Sequence, residues 1–433
     1  MWNLRQGLPE KCRDDEGGWI IPVVCAAVLQ SRGAAVRTSE NEGISMKEFM
    51  TGNEAVAHAV KLCRTPLIAA YPITPQTAIY EKLSDWEASG KLQGIMMRTE
   101  SEHSAMASCI AASLTGVRTF TATSSQGLAL MHEMLHFAAG CRAPVVMVNV
   151  NRLLAAPWGF WADQLDSLSQ RDTGWIQFYC ENGQEALDSV IQAYKIAEQV
   201  YLPGMVSMEA FFVSHFMEPL EVPEQEQVDR FLPPMDLPHK FDIDKPGFLV
   251  PVVSSELYQK YKHMAQVSMD SVKEIAMQVD QEFKKEFGRT YGILESIMLE
   301  DAEVVIVTAG SITSTARLAI KDLRKRGNKI GLLKLRLFRP FPREGVQQAL
   351  RGKKKVAVID RNISLGSGGI FCQELRAALV HSSEHPLTFS YIAGVGGTDV
   401  TPEVIQKIAF DVMSRNEPRD APIWVMEECS IVD

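Results

Sequence analysis

Between Leu67 and Arg152, side chains suited to acid–base and anion chemistry recur at one place in a repeated grammar. Four apolar runs each end in a break, and the breaks carry the reactive groups. Thr74 lies in Tyr71-Pro-Ile-Thr-Pro, Glu100 and Glu102 in Arg98-Thr-Glu-Ser-Glu-His, Ser124 and Gln126 in Ser124-Ser-Gln-Gly, and Arg152 directly after Asn151. A hydroxyl at a helix start favours an anion, because the first turn leaves N–H groups unpaired at the positive end of the macrodipole. Arginine offers a planar fork of donors matched to a carboxylate. A glutamate withdrawn from water has a raised pKa and relays a proton. Each residue also has a local reading: Thr74 as an N-cap before Pro75 at N1, the glutamates as acidic first-turn residues, Arg152 in a surface ion pair.

The elements that must position these groups follow from the same stretch. Leu67-Ile-Ala-Ala, Gly94-Ile-Met-Met, Thr119-Phe-Thr-Ala-Thr and Pro144-Val-Val-Met-Val-Asn predict buried strands. Helical patterns begin at Thr74-Pro75, run from Ser104 to Leu114, and fill the stretch from Ser124-Ser-Gln-Gly to Gly140. Strands alternating with helices of this length give right-handed βαβ crossovers and an α/β fold on a parallel sheet. In such sheets the ligand crevice lies outside the carboxyl ends of the strands. Thr74, Glu100, Glu102, Ser124, Gln126 and Arg152 are therefore expected on one edge.

After Arg152 comes Pro157-Trp-Gly-Phe-Trp, then Asp163-Gln-Leu-Asp-Ser-Leu-Ser-Gln-Arg-Asp-Thr-Gly, a loop longer than compact domains usually need. It reads equally as a functional or interface segment and as a packed Ω-loop. A strand at Ile176-Gln-Phe-Tyr-Cys, an amphipathic helix from Gln184 to Val200 and a run from Met205 to Val213 are expected to close the sheet. Residues 218–290 combine recurrent prolines, Pro219 to Pro251, with a long helix from Glu256 to Phe287. A second, smaller parallel α/β domain is expected over 291–433, with strands at Glu303, Ile330, Lys355 and Leu387 and helices from Thr313, Arg343, Phe371 and Pro402. The first domain then spans 46–217, and residues 1–45 stand apart as an extension upstream of a second plausible start at Met46.

Composition narrows the function classes. A formal net charge of −9 over 433 residues leaves no basic footprint for nucleic acid or an anionic membrane, and no apolar run is long enough to span a bilayer. The eight cysteines are scattered without C-x-x-C spacing, which suggests reduced thiols, a cytoplasmic chain and no iron–sulfur cluster of its own. No His or Cys/His cluster points to a metal. The glycine stretches at Gly366 and Gly394 lack dinucleotide spacing and read as turns and helix starts.

Together Thr51-Gly-Asn-Glu-Ala, Tyr71-Pro-Ile-Thr-Pro, Glu100-Ser-Glu-His-Ser-Ala, Thr119-Phe-Thr-Ala-Thr-Ser-Ser-Gln-Gly-Leu and Ser169-Gln-Arg-Asp-Thr-Gly-Trp carry a resemblance. From about Met46 onward the chain resembles the α subunit of pyruvate:ferredoxin oxidoreductase, within the 2-oxoacid:ferredoxin oxidoreductases. The resemblance implies a pyrimidine-binding-type first domain and a transketolase C-terminal-like second one. It implies thiamine diphosphate, cleavage of a 2-oxo acid, acyl transfer to coenzyme A and two electrons passed to ferredoxin. Thr74 and Arg152 are then the residues that hold the substrate carboxylate. Glu102 contacts N1′ of the aminopyrimidine, with Glu100 as its rival, and Ser124 and Gln126 lie in the cofactor-binding segment.

The chain lacks the G-D-G…N signature that holds a Mg2+-bound diphosphate in thiamine enzymes. Mg2+, the diphosphate contacts and the iron–sulfur clusters are thus expected from β-, γ- and δ-type partner subunits. Pyruvate is the expected acid. Alternatives are 2-oxoisovalerate, 2-oxoglutarate, oxalate or an aryl glyoxylate, or a scaffold subunit without catalysis.

Overall fold

The computed structural model describes residues 47–432 apart from 243, 246, 248, 249, 251, 383 and 427–430. The 1–45 extension therefore lies outside the described residues.

β1 (Lys47–Thr51) runs straight into α1 (Gly52–Leu62), whose start is fixed by a capping box. The Thr51 hydroxyl accepts from the Glu54 N–H at 3.2 Å, and the Glu54 carboxylate accepts from the Thr51 N–H at 3.0 Å, so two orphan donors are satisfied reciprocally. The alternation then proceeds through β2 (Leu67–Ala70), α2 (Thr77–Ala88), β3 (Ile95–Arg98), α3 (Glu102–Ser113) and β4 (Thr119–Thr123). It continues through α4 (Ser125–Leu130), α5 (His132–Gly140) and β5 (Val146–Asn151). The helix expected as one piece up to Gly140 is thus divided at Met131. After β5 there is only the single turn α6 (Leu165–Leu168), then β6 (Ile176–Tyr179), α7 (Gly183–Val200) and β7 (Gly204–Glu209).

The proline-rich stretch is not featureless: it holds β8 (Met217–Glu221), which pairs antiparallel with β1, and α8 (Gln225–Phe231). α9 (Ser255–Phe287) is the expected long helix, capped by Ser254 and stopped by left-handed Gly288. The second alternation comprises β9 (Leu294–Ile297), β10 (Val304–Thr308), α10 (Ile312–Lys325), β11 (Ile330–Leu335) and β12 (Leu337–Arg339). It ends with α11 (Arg343–Leu350), β13 (Lys355–Asp360), α12 (Ile370–Leu379), β14 (Leu387–Ile392), α13 (Pro402–Ser414), β15 (Ile423–Val425) and β16 (Ile431–Val432).

Two seven-stranded sheets result, ordered β12-β6-β7-β5-β4-β2-β3 and β16-β15-β14-β13-β10-β11-β9. Their central strands are parallel, and antiparallel pairs occur only at edges: β12 on β6, β9 on β11 and β16 on β15. β4, β5 and β7 are buried along their whole length, as parallel strands covered by helices on both faces are, although Thr, Asn and Ser interrupt their apolar residues. β7 does not close the first sheet as expected. It lies inside, between β6 and β5, and the edge beyond β6 is supplied by β12 from the second alternation.

A buried ionic cluster joins the two sheets' elements. Lys334 of β11 donates to Glu181 at 2.9 Å and Glu185 at 2.7 Å, and Arg317 of α10 also reaches Glu181. Desolvating these charges is tolerable only because each is paired, and the Arg317 and Lys334 charges hold Glu181 down to about 2 against the opposing effect of burial.

Candidate functional site

The carboxyl ends of β2, β3, β4 and β5 share one edge, and the breaks gather there. Arg152, 2% exposed, leaves the end of β5 and is fixed by its own donors. Its Nε donates to Gly159 O at 2.9 Å and its Nη1 to Thr74 O at 2.7 Å. Trp158 and Phe160 lie over the guanidinium, their centroids 5.4 and 4.8 Å from Cζ, and each ring is itself largely open to solvent. The aromatic loop is therefore a cover on Arg152. Burial pulls the pKa of Arg152 down, and among the described residues no carboxylate forms an ion pair with its guanidinium.

Thr74 is not the cap expected of it. α2 begins at Thr77 with Gln76 as its N-cap, and a cis Thr74–Pro75 peptide places Thr74 upstream of the helix. The turn is held instead by Asn53, whose amide donates to Pro75 O at 2.8 Å, and by Gln76, which donates to Tyr71 O at 3.0 Å. This links the Thr51-Gly-Asn-Glu-Ala segment to the Tyr71-Pro-Ile-Thr-Pro turn. Thr74 is left exposed beside Arg152.

Glu102 and Glu100 part company. Glu102 is the first residue of α3, 5% exposed, and burial raises its pKa while its own backbone N–H opposes the shift. Glu100 is exposed, accepts from the Ser104 hydroxyl at 2.6 Å and is held low by it. Only Glu102 thus has the environment of a proton relay.

Opposite Glu102 stands Gly127, in the first turn of α4. A methyl group there would sit 2.5 Å from Glu102 Oε1 and 2.4 Å from Thr123 Oγ1, so both oxygens pack directly against the glycine and no side chain fits between them. Thr123 Oγ1 is buried and has no hydrogen-bond partner. An unpaired hydroxyl and a protonatable carboxyl side by side offer a donor and an acceptor to a polar heterocycle, and an aminopyrimidine has matching edges. Ser124 is fully buried and donates to Val150 O at 2.7 Å, so its hydroxyl ties β4 to β5. Gln126 is half-buried and accepts from the Ser125 hydroxyl.

The sequence reading missed the group behind this edge. Asp166 of α6, fully buried, accepts through Oδ2 from the Ser125 N–H at 2.9 Å, the Asn149 amide at 3.0 Å and the Arg152 N–H at 3.1 Å. Through Oδ1 it accepts from Asn151 Nδ2 at 2.7 Å and from the Ser167 N–H at 2.8 Å. The available signal was Asn149 and Asn151, two polar residues on one face of an otherwise apolar strand, which demand a buried partner.

In the second alternation the helix starts after β10 and β13 are met by the chain's own carboxylates, whereas that of α13, after β14, is capped by the Thr401 hydroxyl. Glu209 accepts from Ser311 N–H at 3.1 Å, and Asp360 accepts from Phe371 N–H at 2.8 Å. The Gly366 and Gly394 stretches are turns with positive φ. Among the described residues no group of three or more His, Cys, Asp or Glu is placed to hold a metal, and no helix is long and apolar enough to cross a membrane.

The family model described as pyruvate flavodoxin/ferredoxin oxidoreductase, thiamine diphosphate-binding, matches residues 58–281. That for pyruvate:ferredoxin oxidoreductase core domain II matches 302–405. The chain is 44% identical over 380 residues to pyruvate synthase subunit PorA of Methanothermobacter thermautotrophicus, covering 87% of this chain and 97% of that one. It is 46% identical over 369 residues to ketoisovalerate oxidoreductase subunit VorA of Pyrococcus abyssi, covering 85% and 93%. A solved 2-oxoglutarate:ferredoxin oxidoreductase from Magnetococcus marinus shares the fold, with a TM-score of 0.67 and 21% identity over 89% of this chain and 68% of that one.

Proposed function

This chain belongs to the 2-oxoacid:ferredoxin oxidoreductases as an α subunit, and from that premise we propose that its substrate is pyruvate, converted with coenzyme A to acetyl-CoA, CO2 and reduced ferredoxin. One observation carries the assignment of the site. Arg152 is a buried guanidinium at the carboxyl edge of the first sheet without an ion-paired carboxylate among the described residues. The Asp166 charge offsets this burial only without an ion pair, its oxygens being taken by other N–H donors, and an incoming carboxylate would pair with the guanidinium directly.

In this reading Arg152 and Thr74 hold the carboxylate of the 2-oxo acid. Glu102 faces N1′ of the aminopyrimidine and holds or releases a proton there; its carboxyl is seated against Gly127, where no side chain fits, beside the unpaired Thr123 hydroxyl. Ser124 and Gln126 form the platform beneath. When bound, thiamine diphosphate supplies the electron sink for cleaving the bond between the keto carbon and the carboxylate. Mg2+, the diphosphate contacts and the iron–sulfur clusters come from β-, γ- and δ-type subunits, in a cytoplasmic complex.

Trp158 and Phe160, packed edge-to-face with centroids 4.5 Å apart, both lie on one side of the Arg152 guanidinium and leave the other side, an arrangement that suits a small acid. A second reading, 2-oxoisovalerate, is favoured by the apolar character of the same rings and by the relatives named for ketoisovalerate. A panel of 2-oxo acids with the purified multi-subunit complex, following ferredoxin reduction, decides between them. The expected result is the highest kcat/KM for pyruvate; a tenfold preference for 2-oxoisovalerate would transfer the assignment. The isolated chain, lacking the partners' groups, is expected to be inactive and free of iron.

A further inference from the structure

Asp166 touches neither Gly127 nor the Arg152 guanidinium, yet its carboxylate is bonded to the main chain that carries both. Ser125 opens the turn into α4 with a left-handed φ of 50°, an unfavourable conformation for a residue with a Cβ. The Asp166 Oδ2 contact to the Ser125 N–H, and the Ser125 hydroxyl donating to Leu153 O at 2.6 Å, hold that conformation. Two residues on is Gly127, against which the Glu102 carboxyl rests. The same Oδ2 accepts from the Arg152 N–H, and Asn149 and Asn151, from the strand that ends at Arg152, donate to the same carboxylate. Five N–H donors converge on one anion, and no acceptor does, so its charge and both oxygens are committed.

We propose that Asp166 is a positioning residue that keeps the substrate-holding Arg152 and the cofactor-facing Ser125–Gly127 turn in one fixed relation. The inference rests on the assignment of Arg152 and Glu102 made above. Its physical basis is that β4 and β5 end in separate segments whose relative placement nothing in their own backbone fixes beyond the last ladder pair, Thr123 with Asn149. Past that pair, Asp166 provides the shared anchor. A misplacement of about 1 Å between reacting partners is enough to lose on the order of a hundredfold in rate.

The test uses the reconstituted multi-subunit complex. Asp166→Asn turns one acceptor oxygen into a donor that faces N–H groups, and Asn149→Ala is the milder variant, removing one of the three donors on Oδ2. For Asp166→Asn the expected result is at least an about tenfold rise in KM for pyruvate together with weaker thiamine diphosphate binding by calorimetry, because one anchor serves both halves. Asn149→Ala should move both quantities in the same direction by about threefold, and it keeps the test open if Asp166→Asn does not fold. A double-mutant cycle separates positioning from general destabilisation. In the Arg152→Ala background, Asp166→Asn should raise the pyruvate KM no further.

An equal KM rise in both backgrounds, or a change confined to either substrate or cofactor, overturns the role of Asp166. An unchanged KM in Arg152→Ala alone overturns the assignment of Arg152 instead, so the two failures are distinguishable.

Discussion

The Arg152 guanidinium donates to the main-chain carbonyl of Thr74 across 2.7 Å, joining the ends of β5 and β2 through a side chain that is otherwise poised for an anion. The contact uses Nη1, and Nε is taken by Gly159 O. No partner for Nη2 is found among the described residues. The two residues assigned to the substrate carboxylate are thus mechanically coupled before any substrate arrives, and a substitution at Arg152 loosens the Thr74 turn as well.

Arg152→Ala is therefore expected to lower kcat/KM for the 2-oxo acid by tenfold or more, since a hydrogen bond to a charged group contributes about 1.5–3 kcal/mol net. Thiamine diphosphate binding should be preserved, because Glu102 and Gly127 belong to α3 and α4 rather than to the end of β5. Steady-state kinetics and calorimetry on the same preparation check both halves. Arg152→Lys should recover little, because the forked geometry that reaches Thr74 O and Gly159 O together is lost.

Most of the fold was legible because buried parallel strands announce themselves as apolar runs: the four predicted strands of the second alternation, at Glu303, Ile330, Lys355 and Leu387, fall on β10, β11, β13 and β14. β12 was not legible. It follows β11 after a single residue, Arg336, and leaves for the other sheet, a decision made by packing against β6 rather than by any local pattern. At Thr74 the Thr-Pro pair imitates an N-cap followed by N1, and the helix begins further on because the turn is held from outside by Asn53. Asp166 escaped for a related reason. Four of its five donors lie 14 to 41 residues away, so no spacing rule brings them together. The residues assigned to a ligand sat in motifs, whereas the residue proposed to anchor them sat in a loop without one.

Asp163 is expected to make the stability of the fold depend on pH. It is buried between the aromatic loop and the second sheet, where Gln164 N–H donates to Arg361 O at 3.0 Å, and burial pushes its carboxyl up to about 7 while Leu165 N–H and Arg361 oppose the shift. The neighbouring charge of Asp166 adds to the rise. A carboxyl raised in the folded state binds its proton more tightly there than in the unfolded chain. Its contribution to stability is full below the ordinary aspartate range and is lost as pH climbs through about 7. Tm should accordingly fall between pH 5 and pH 8, and Asp163→Asn, which stays neutral, should flatten that fall. An identical slope in the variant would remove Asp163 as the source.

Gly127→Ala tests the seat of the Glu102 carboxyl rather than its charge. The added methyl group meets the Thr123 hydroxyl and the Glu102 carboxyl at 2.4 and 2.5 Å, and the hydroxyl is on a fully buried strand that cannot retreat. Glu102 is the softer neighbour and should be displaced. Secondary structure by circular dichroism should be unchanged, since alanine favours a helix over glycine by about 1 kcal/mol. Thiamine diphosphate affinity and turnover should both drop. Full activity in Gly127→Ala would mean that the seating of Glu102 against Gly127 is not required.

Glu102 should govern activation of the cofactor rather than affinity for the 2-oxo acid. Its carboxyl is buried at the start of α3 and raised in pKa by that burial, while Glu100, two residues earlier, is exposed and held low by the Ser104 hydroxyl. A raised pKa lets Glu102 share a proton with a weakly basic ring nitrogen; a lowered one leaves Glu100 a fixed charge in water. Glu102→Gln keeps size and most hydrogen-bonding capacity and removes only the ionisable proton. Hydrogen–deuterium exchange at C2 of bound thiamine diphosphate should then slow by about 10²–10⁴-fold, the range that a general acid–base group contributes. Glu100→Gln should exchange at the wild-type rate. Because the measurement needs neither 2-oxo acid nor ferredoxin, it isolates the proton relay from substrate binding and electron transfer. The reverse pattern, slow exchange in Glu100→Gln and normal exchange in Glu102→Gln, would move the role by two residues and off the start of α3.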